Sequence, residues 1–132
     1  MSKCEHIELA TDTTKRARDF YAQLFKWKIE TMPGGGGGEY LMFRTDNGGG
    51  GITGKVMAAQ PTAWMPYFTV PSVKRSLAAA SKLGAAVLQP YMSIGDMGAI
   101  AVLRDPTGAA FGLWETGKPA NKLAKAKQAR RR

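Results

Sequence analysis

His6 and Glu8 stand at alternate positions of the string Cys4-Glu5-His6-Ile7-Glu8-Leu9. On an extended strand, alternate side chains share one face about 6.8 Å apart, twice the rise per residue. An imidazole and a carboxylate so placed could act as acid and base on a molecule seated between them. The plainer reading, and the preferred one, pairs Glu8 with Arg44 and makes His6 a satisfied interior histidine, because buried charges are usually paired. Cys4 lies on the same face, but one strand cannot easily wrap three donors around one ion, so a small buried thiol is expected there. With a single histidine in the chain, no Ser–His–Asp or Cys–His constellation can be assembled.

The elements that must position these groups follow from periodicity. His6 to Ala10 alternates polar and apolar residues, a strand with period two. Asp12, Thr13 and Thr14 are candidate helix caps. Ala17, Phe20, Tyr21, Leu24 and Phe25 then recur at helical spacing as one apolar stripe. Trp27 to Thr31 and Glu39 to Thr45 read as strands, and Gly49 to Gly54 as a short, weak one after the Asp46-Asn47-Gly48 turn. Met65 to Val70 is the next strand. Ser72 caps a helix with Val73, Leu77 and Ala80 inside, and Gly84 ends it. Ala86 to Tyr91, Ala99 to Arg104 and Ala110 to Glu115 complete the strands, the last two joined by Asp105-Pro106-Thr107-Gly108.

This order repeats. Lys15-Arg16 returns as Lys74-Arg75, Leu24 as Leu83 and Asp46 as Asp105, each 59 positions on. The expected organisation is one domain over residues 1–116, with module one at 4–54, a linker at 55–63 and module two at 64–116. A basic tail follows at 117–132. A chain of 132 residues, 44% of them apolar, is long enough to bury one shared core.

The strings His6-Ile7-Glu8-Leu9, Asp19-Phe20-Tyr21, Leu24-Phe25-Lys26-Trp27 and Asp105-Pro106-Thr107-Gly108-Ala109-Ala110-Phe111 resemble the vicinal oxygen chelate superfamily. That superfamily includes glyoxalases, extradiol dioxygenases and bleomycin-resistance binding proteins. The resemblance implies an α+β fold in which two pseudo-symmetric βαβββ modules form an open, cup-shaped mixed sheet with helices on the outer face. It also implies a homodimer. The fold hosts unrelated chemistries, so it does not by itself define an activity.

Metal-dependent members carry ligands on the first and last strand of each module. The resemblance maps these onto His6, Thr53, Met65 and Gly112 when the 59-residue offset is applied throughout. A divalent centre needs three or four N, O or S donors. His6 is a good donor, Thr53 a poor one, Met65 prefers soft ions and Gly112 has no side chain. No metal and no other cofactor is therefore expected. Glu115, on the opposite strand face from Gly112, is not expected to replace it.

Alternation assigns Ile7, Leu9, Leu41, Phe43, Phe68, Val70, Phe111 and Leu113 to the helix-covered side. His6, Glu8, Tyr40, Met42, Arg44, Met65, Tyr67, Thr69 and Trp114 fall on the cup side. This mixture of aromatic, soft and charged groups suits a pocket with apolar walls and a few orienting polar atoms. Tyr67 and Trp114 could stack on a planar ligand or simply fill the cavity. Trp27 and Trp64 are expected to pack. The glycine runs Gly34–Gly38 and Gly51–Gly54 lack the spacing and the following helix of phosphate-binding loops and are expected to shape the mouth of the cup. The expectation is thus a metal-free protein holding a small, partly aromatic molecule. The alternative is a glyoxalase- or dioxygenase-like enzyme, a lyase or isomerase, with a rearranged metal site or acid–base chemistry by Glu8 and His6.

Most of the net charge of +9 belongs to the tail. Residues 1–116 hold 12 basic and 10 acidic side chains, whereas residues 117–132 hold 7 basic and none acidic. Weak, nonspecific contact of the tail with nucleic acid or anionic lipid is open, but no aromatic residues are interleaved for base stacking. No apolar run approaches the ~20 residues of a membrane span. No secretory leader is evident. Lone Cys4 suits a reducing compartment, so a cytoplasmic location is expected.

Overall fold

In the computed structural model, residues 3–33, 39–55 and 60–117 are described. The Gly34–Gly38 run, part of the linker and the tail beyond Gly117 lie outside these residues. Strand β1 (Lys3–Ala10) leads into helix α1 (Thr14–Phe25), followed by β2 (Glu30–Pro33), β3 (Glu39–Thr45) and β4 (Gly48–Thr53). The second set is β5 (Ala63–Thr69), α2 (Val73–Lys82), β6 (Ala86–Ser93), β7 (Gly98–Arg104) and β8 (Ala110–Thr116), with a short 3-10 turn at Gly95–Met97. All eight strands form one open sheet in the order β2-β3-β4-β1-β5-β8-β7-β6. This is the βαβββ repeat, with both helices on one face.

The modules join through β1 and β5, which run antiparallel with His6 opposite Tyr67 and Glu8 opposite Met65. An offset of 59 residues interchanges these two pairs, so a pseudo-twofold axis passes near Ile7 and Pro66. Within each module the first strand is parallel to the last: Glu8 aligns with Gly51, and Tyr67 with Gly112.

The helix-covered face holds two apolar clusters. Leu9, Leu41, Phe43 and Ile52 pack beneath Ala17 and Tyr21 of α1, with Trp27 and Trp64 at their margin. Trp27 stacks on Phe43 at 4.0 Å between ring centroids, and the Trp64 indole donates to the Tyr21 hydroxyl at 3.0 Å. Val73, Ala101, Leu103 and Leu113 pack beneath Leu77 and Ala80 of α2.

Several sequence expectations need correction. The α1 stripe divides: Ala17 and Tyr21 face the core, while Phe20, Leu24 and Phe25 are more than half exposed. A short helix on a sheet can turn only one narrow side inward, and this stripe is wider than that side. Trp27 precedes β2 rather than starting it, because Lys26 ends α1 in the left-handed conformation with φ 60° and the next residues spend their length returning to the sheet. Cys4 is exposed rather than buried, because β1 is irregular between Lys3 and His6. Gly51, Ile52 and Thr53 lie in strand β4, as the Gly49–Gly54 strand reading has it, and not in a loop at the mouth of the cup; Lys55 beyond them is held by Asp12 at 3.1 Å.

The two helix starts differ. Ser72 accepts from the Arg75 amide at 3.2 Å, and Glu115 accepts from the Val73 amide at 2.9 Å. Thr13 makes no side-chain cap to α1. The Asp105 turn is closed by one carboxylate oxygen, which accepts from the Thr107 hydroxyl and amide and from the Ala109 amide at 2.6, 2.8 and 3.1 Å. The Thr107 hydroxyl, then the Ala109 amide, hold this carboxyl below the usual range.

Candidate functional site

The cup face carries the chemistry. Glu8 projects from β1 and is 14% exposed at its side chain. Tyr40 of β3 donates its hydroxyl to Oε2 at 3.0 Å. Tyr67 of β5 donates to Oε1 at 3.1 Å. His6 Nε2 lies 3.1 Å from the Tyr40 oxygen and 3.6 Å from Glu8 Oε2. The imidazole meets Tyr67 edge-on at 5.3 Å and stacks on Trp114 of β8 at 5.6 Å. Each oxygen of one carboxylate thus accepts a phenol, and a histidine abuts the first of them. Burial first, then the charge and hydrogen bonding of Glu8, push both phenols far above the ordinary tyrosine range.

Glu8 therefore does not pair with Arg44, which is exposed, and no ion pair joins them among the described residues. Arg44 lies towards the sheet edge, on β3, where its cross-strand neighbour is Gly49. Two phenols take its place because Tyr40 and Tyr67 converge on Glu8 from the two neighbouring sides of β1. Met42, aligned with Gly51, is half-buried. Met65 and Tyr67 are buried at 5% and 2% exposure. Together with Val102, Leu88, Ile100, Ala110 and Trp114 they form a third apolar cluster on the cup side of module two.

The glycine strand decides the fit of a metal. The offset of 59 that relates β1 to β5 grows along the module. Pairing of Met42 with Gly51 and of Val102 with Gly112 makes it 60 on β3 and β7, then 61 on β4 and β8. The counterpart of Gly112 is thus Gly51 and not Thr53. A Cβ on Gly51 would collide with the Tyr40 phenol, and one on Gly112 with the Tyr67 ring. The four positions onto which the resemblance maps metal ligands thereby become His6, Gly51, Met65 and Gly112, and the two glycines lie beneath phenols. One nitrogen and one thioether do not make a divalent-ion site. Among the described residues no group of three His, Cys, Asp or Glu side chains could hold an ion.

Beside His6 opens a groove of about 520 Å³, lined by Lys3, Glu5, His6, Thr69, Trp114 and Thr116 among others. This is a ligand-sized space. Of the sequence-predicted set, His6, Thr69 and Trp114 reach it. Lys3, Glu5 and Thr116 are not legible in the sequence as lining residues. The irregularity of β1 after Lys3 breaks the alternation that would have to reveal the first two.

Paired βαβββ modules in a single open sheet, with polar groups gathered on the face away from the helices, define the vicinal oxygen chelate fold. Within it, this chain belongs to the glyoxalase-like domain family, whose model matches residues 6–114. A Mycobacterium tuberculosis protein named "Putative glyoxylase CFP32" is 32% identical over 124 residues, covering 85% of this chain and 45% of that protein. The Streptomyces peucetius "Anthracycline biosynthesis protein DnrV" is 26% identical over 133 residues, covering 84% and 46%. The chain spans about half the length of the curated relatives it matches. Among solved structures, Streptomyces coelicolor methylmalonyl-CoA epimerase in complex with 2-nitronate-propionyl-CoA superposes with a TM-score of 0.64 at 16% identity, covering 88% of this chain and 98% of that one. A hypothetical protein of Bacillus halodurans, BH1468, superposes at 0.67 with 14% identity, covering 89% and 96%. These likenesses show the fold. No helix among the described residues is long and apolar enough to cross a membrane.

Proposed function

We propose that this chain is a small-molecule binding domain that works without a metal at the position used by metal-dependent members of its fold. It takes a partly aromatic ligand beside His6 and Trp114. The observation that carries this reading is the pair of glycines, Gly51 and Gly112, each beneath a phenol where a ligand-bearing side chain would have to stand. The groove supports it with an indole wall and a few polar groups, the composition that favours planar organic ligands. The naming of a Streptomyces relative for anthracycline biosynthesis fits an aromatic ligand. A homodimer in the cytoplasm belongs to the same proposal, and sedimentation equilibrium of the chain checks its first part.

The test is a titration of chelator-treated protein with Zn, Ni, Mn, Fe(II) and Co, followed by thermal unfolding. No saturable rise in melting temperature is expected with any ion. A saturable rise that disappears in His6→Ala would overturn the proposal.

A second reading draws on one observation. The line His6–Tyr40–Glu8 is continuous at hydrogen-bond distance, a path along which acid–base catalysis by Glu8 and His6 would pass a proton. Under that reading Glu8→Gln keeps ligand binding and loses turnover. Under the binding reading it changes affinity alone.

A further inference from the structure

The hydrogen atoms of the Glu8 network can be counted. Each phenol has one proton to donate, and a carboxylate can only accept. Tyr40 gives its proton to Glu8 Oε2, and Tyr67 gives its own to Oε1. The Tyr40 oxygen then has only lone pairs left for His6 Nε2, 3.1 Å away. Nε2 must therefore carry the hydrogen, and the neutral ring keeps its lone pair on Nδ1. Among the described residues, Nδ1 has no hydrogen-bond partner. The same ring lies along the groove and stacks on Trp114.

Resting on the binding reading above, we propose that the groove selects planar aromatic molecules that carry an O–H or N–H donor. The donor bonds His6 Nδ1 while the ring lies against Trp114. Tyr40 is the positioning residue, fixing the imidazole tautomer without touching the ligand. Glu8 holds Tyr40 in the donating orientation. A planar molecule with an acceptor in place of the donor meets the lone pair of Nδ1 and gains nothing from it.

The single histidine of the chain makes the first half of the test unambiguous. Long-range proton–nitrogen correlation of the ¹⁵N-labelled full chain, recorded with the imidazole neutral, should show the Nε2–H form alone. Tyr40→Phe should give a mixture of both forms while the fold is retained. The second half compares 2-naphthol, 2-methoxynaphthalene and naphthalene by titration of the His6 ring-proton shifts and by calorimetry. 2-Naphthol should bind about tenfold more tightly than either of the others, the size of one net hydrogen bond. The preference should disappear in His6→Ala, and in His6→Gln should the first variant fold poorly. An Nδ1–H tautomer in the unaltered chain overturns the proposal. So do saturable but equal affinities for the three probes, which leave the binding-domain reading standing. Absence of binding by all three overturns both.

Discussion

Tyr40 of β3 and Glu8 of β1 occupy the cup face of module one, and their counterparts in module two are Ile100 and Tyr67. The same two strand positions thus hold a carboxylate and its hydrogen-bond donor on one side of the pseudo-twofold axis. On the other they hold part of an apolar cluster with Met65 and Val102. The helices repeat the contrast. No residue of α1 is fully buried and its start lacks a side-chain cap, whereas α2 buries Val73 and is capped by Ser72 and Glu115. Module two is built as a packed support. Module one carries the polar groups, and it borrows the Tyr67 hydroxyl from its neighbour to satisfy Glu8. In a duplicated fold, one half can give up local stability for chemistry when the other does not.

The sharpest way to break this comparison is Tyr67→Ala. Removing a fully buried ring that also serves Glu8 should cost about 4 kcal/mol in denaturant unfolding, and clearly more than Tyr40→Ala, since Tyr40 is only half-buried. Equal costs would mean that the two modules share the load. Alkaline pH tests both phenols together. An ordinary tyrosine loses its proton near pH ~10, and Tyr40 and Tyr67 hold theirs well beyond it. The unfolded chain therefore binds fewer protons at high pH. The contribution is whole below about pH 10 and is lost as pH rises towards the folded values, by roughly 1.4 kcal/mol per pH unit for each phenol. Phenolate absorbance from these two residues should appear together with unfolding. Stability that is flat from pH ~9 to ~12 would sink the assignment.

Gly112→Ala and Gly51→Ala sharpen the contrast at the glycines. The first pushes a methyl into the buried Tyr67 ring, the second into the hydroxyl end of Tyr40. About 2 kcal/mol is expected for Gly112→Ala, and less for Gly51→Ala, because the end of a half-buried side chain can shift. Reversed order in their melting temperatures would contradict the proposed roles of the modules. The smallest effect is at the caps. Ser72→Ala should destabilise by about 1 kcal/mol, while Thr13→Ala, with no cap bond to lose, should leave the unfolding midpoint nearly in place.

Much of this arrangement is legible in the residue pattern alone. Period-two alternation places Leu9, Leu41, Phe43 and Leu113 under the helices, and His6, Glu8, Tyr67 and Trp114 opposite them, because one buried face per strand leaves that mark. The register of β4 is not legible. Gly48 to Gly51 have no side chains with which to show a face, so the offset read from the β1 and β5 strings overshoots by two residues, to Thr53. The partners of Glu8 are hidden for another reason. A charge invites an opposite charge as its expected partner, and Arg44 stands at the right parity. Only the cross-strand order shows that Arg44 aligns with Gly49 towards the edge while two hydroxyls converge on the carboxylate.

Glu8 and Tyr67 are equivalent residues under the axis, and they bond each other across it. That pairing acts as a key. Two copies of module one joined in the same way would set two carboxylates face to face, each with one phenol instead of two. Two copies of module two would leave paired phenols without the acceptor that orients them. A chain severed in its linker should accordingly reassemble from one half of each kind rather than from two alike.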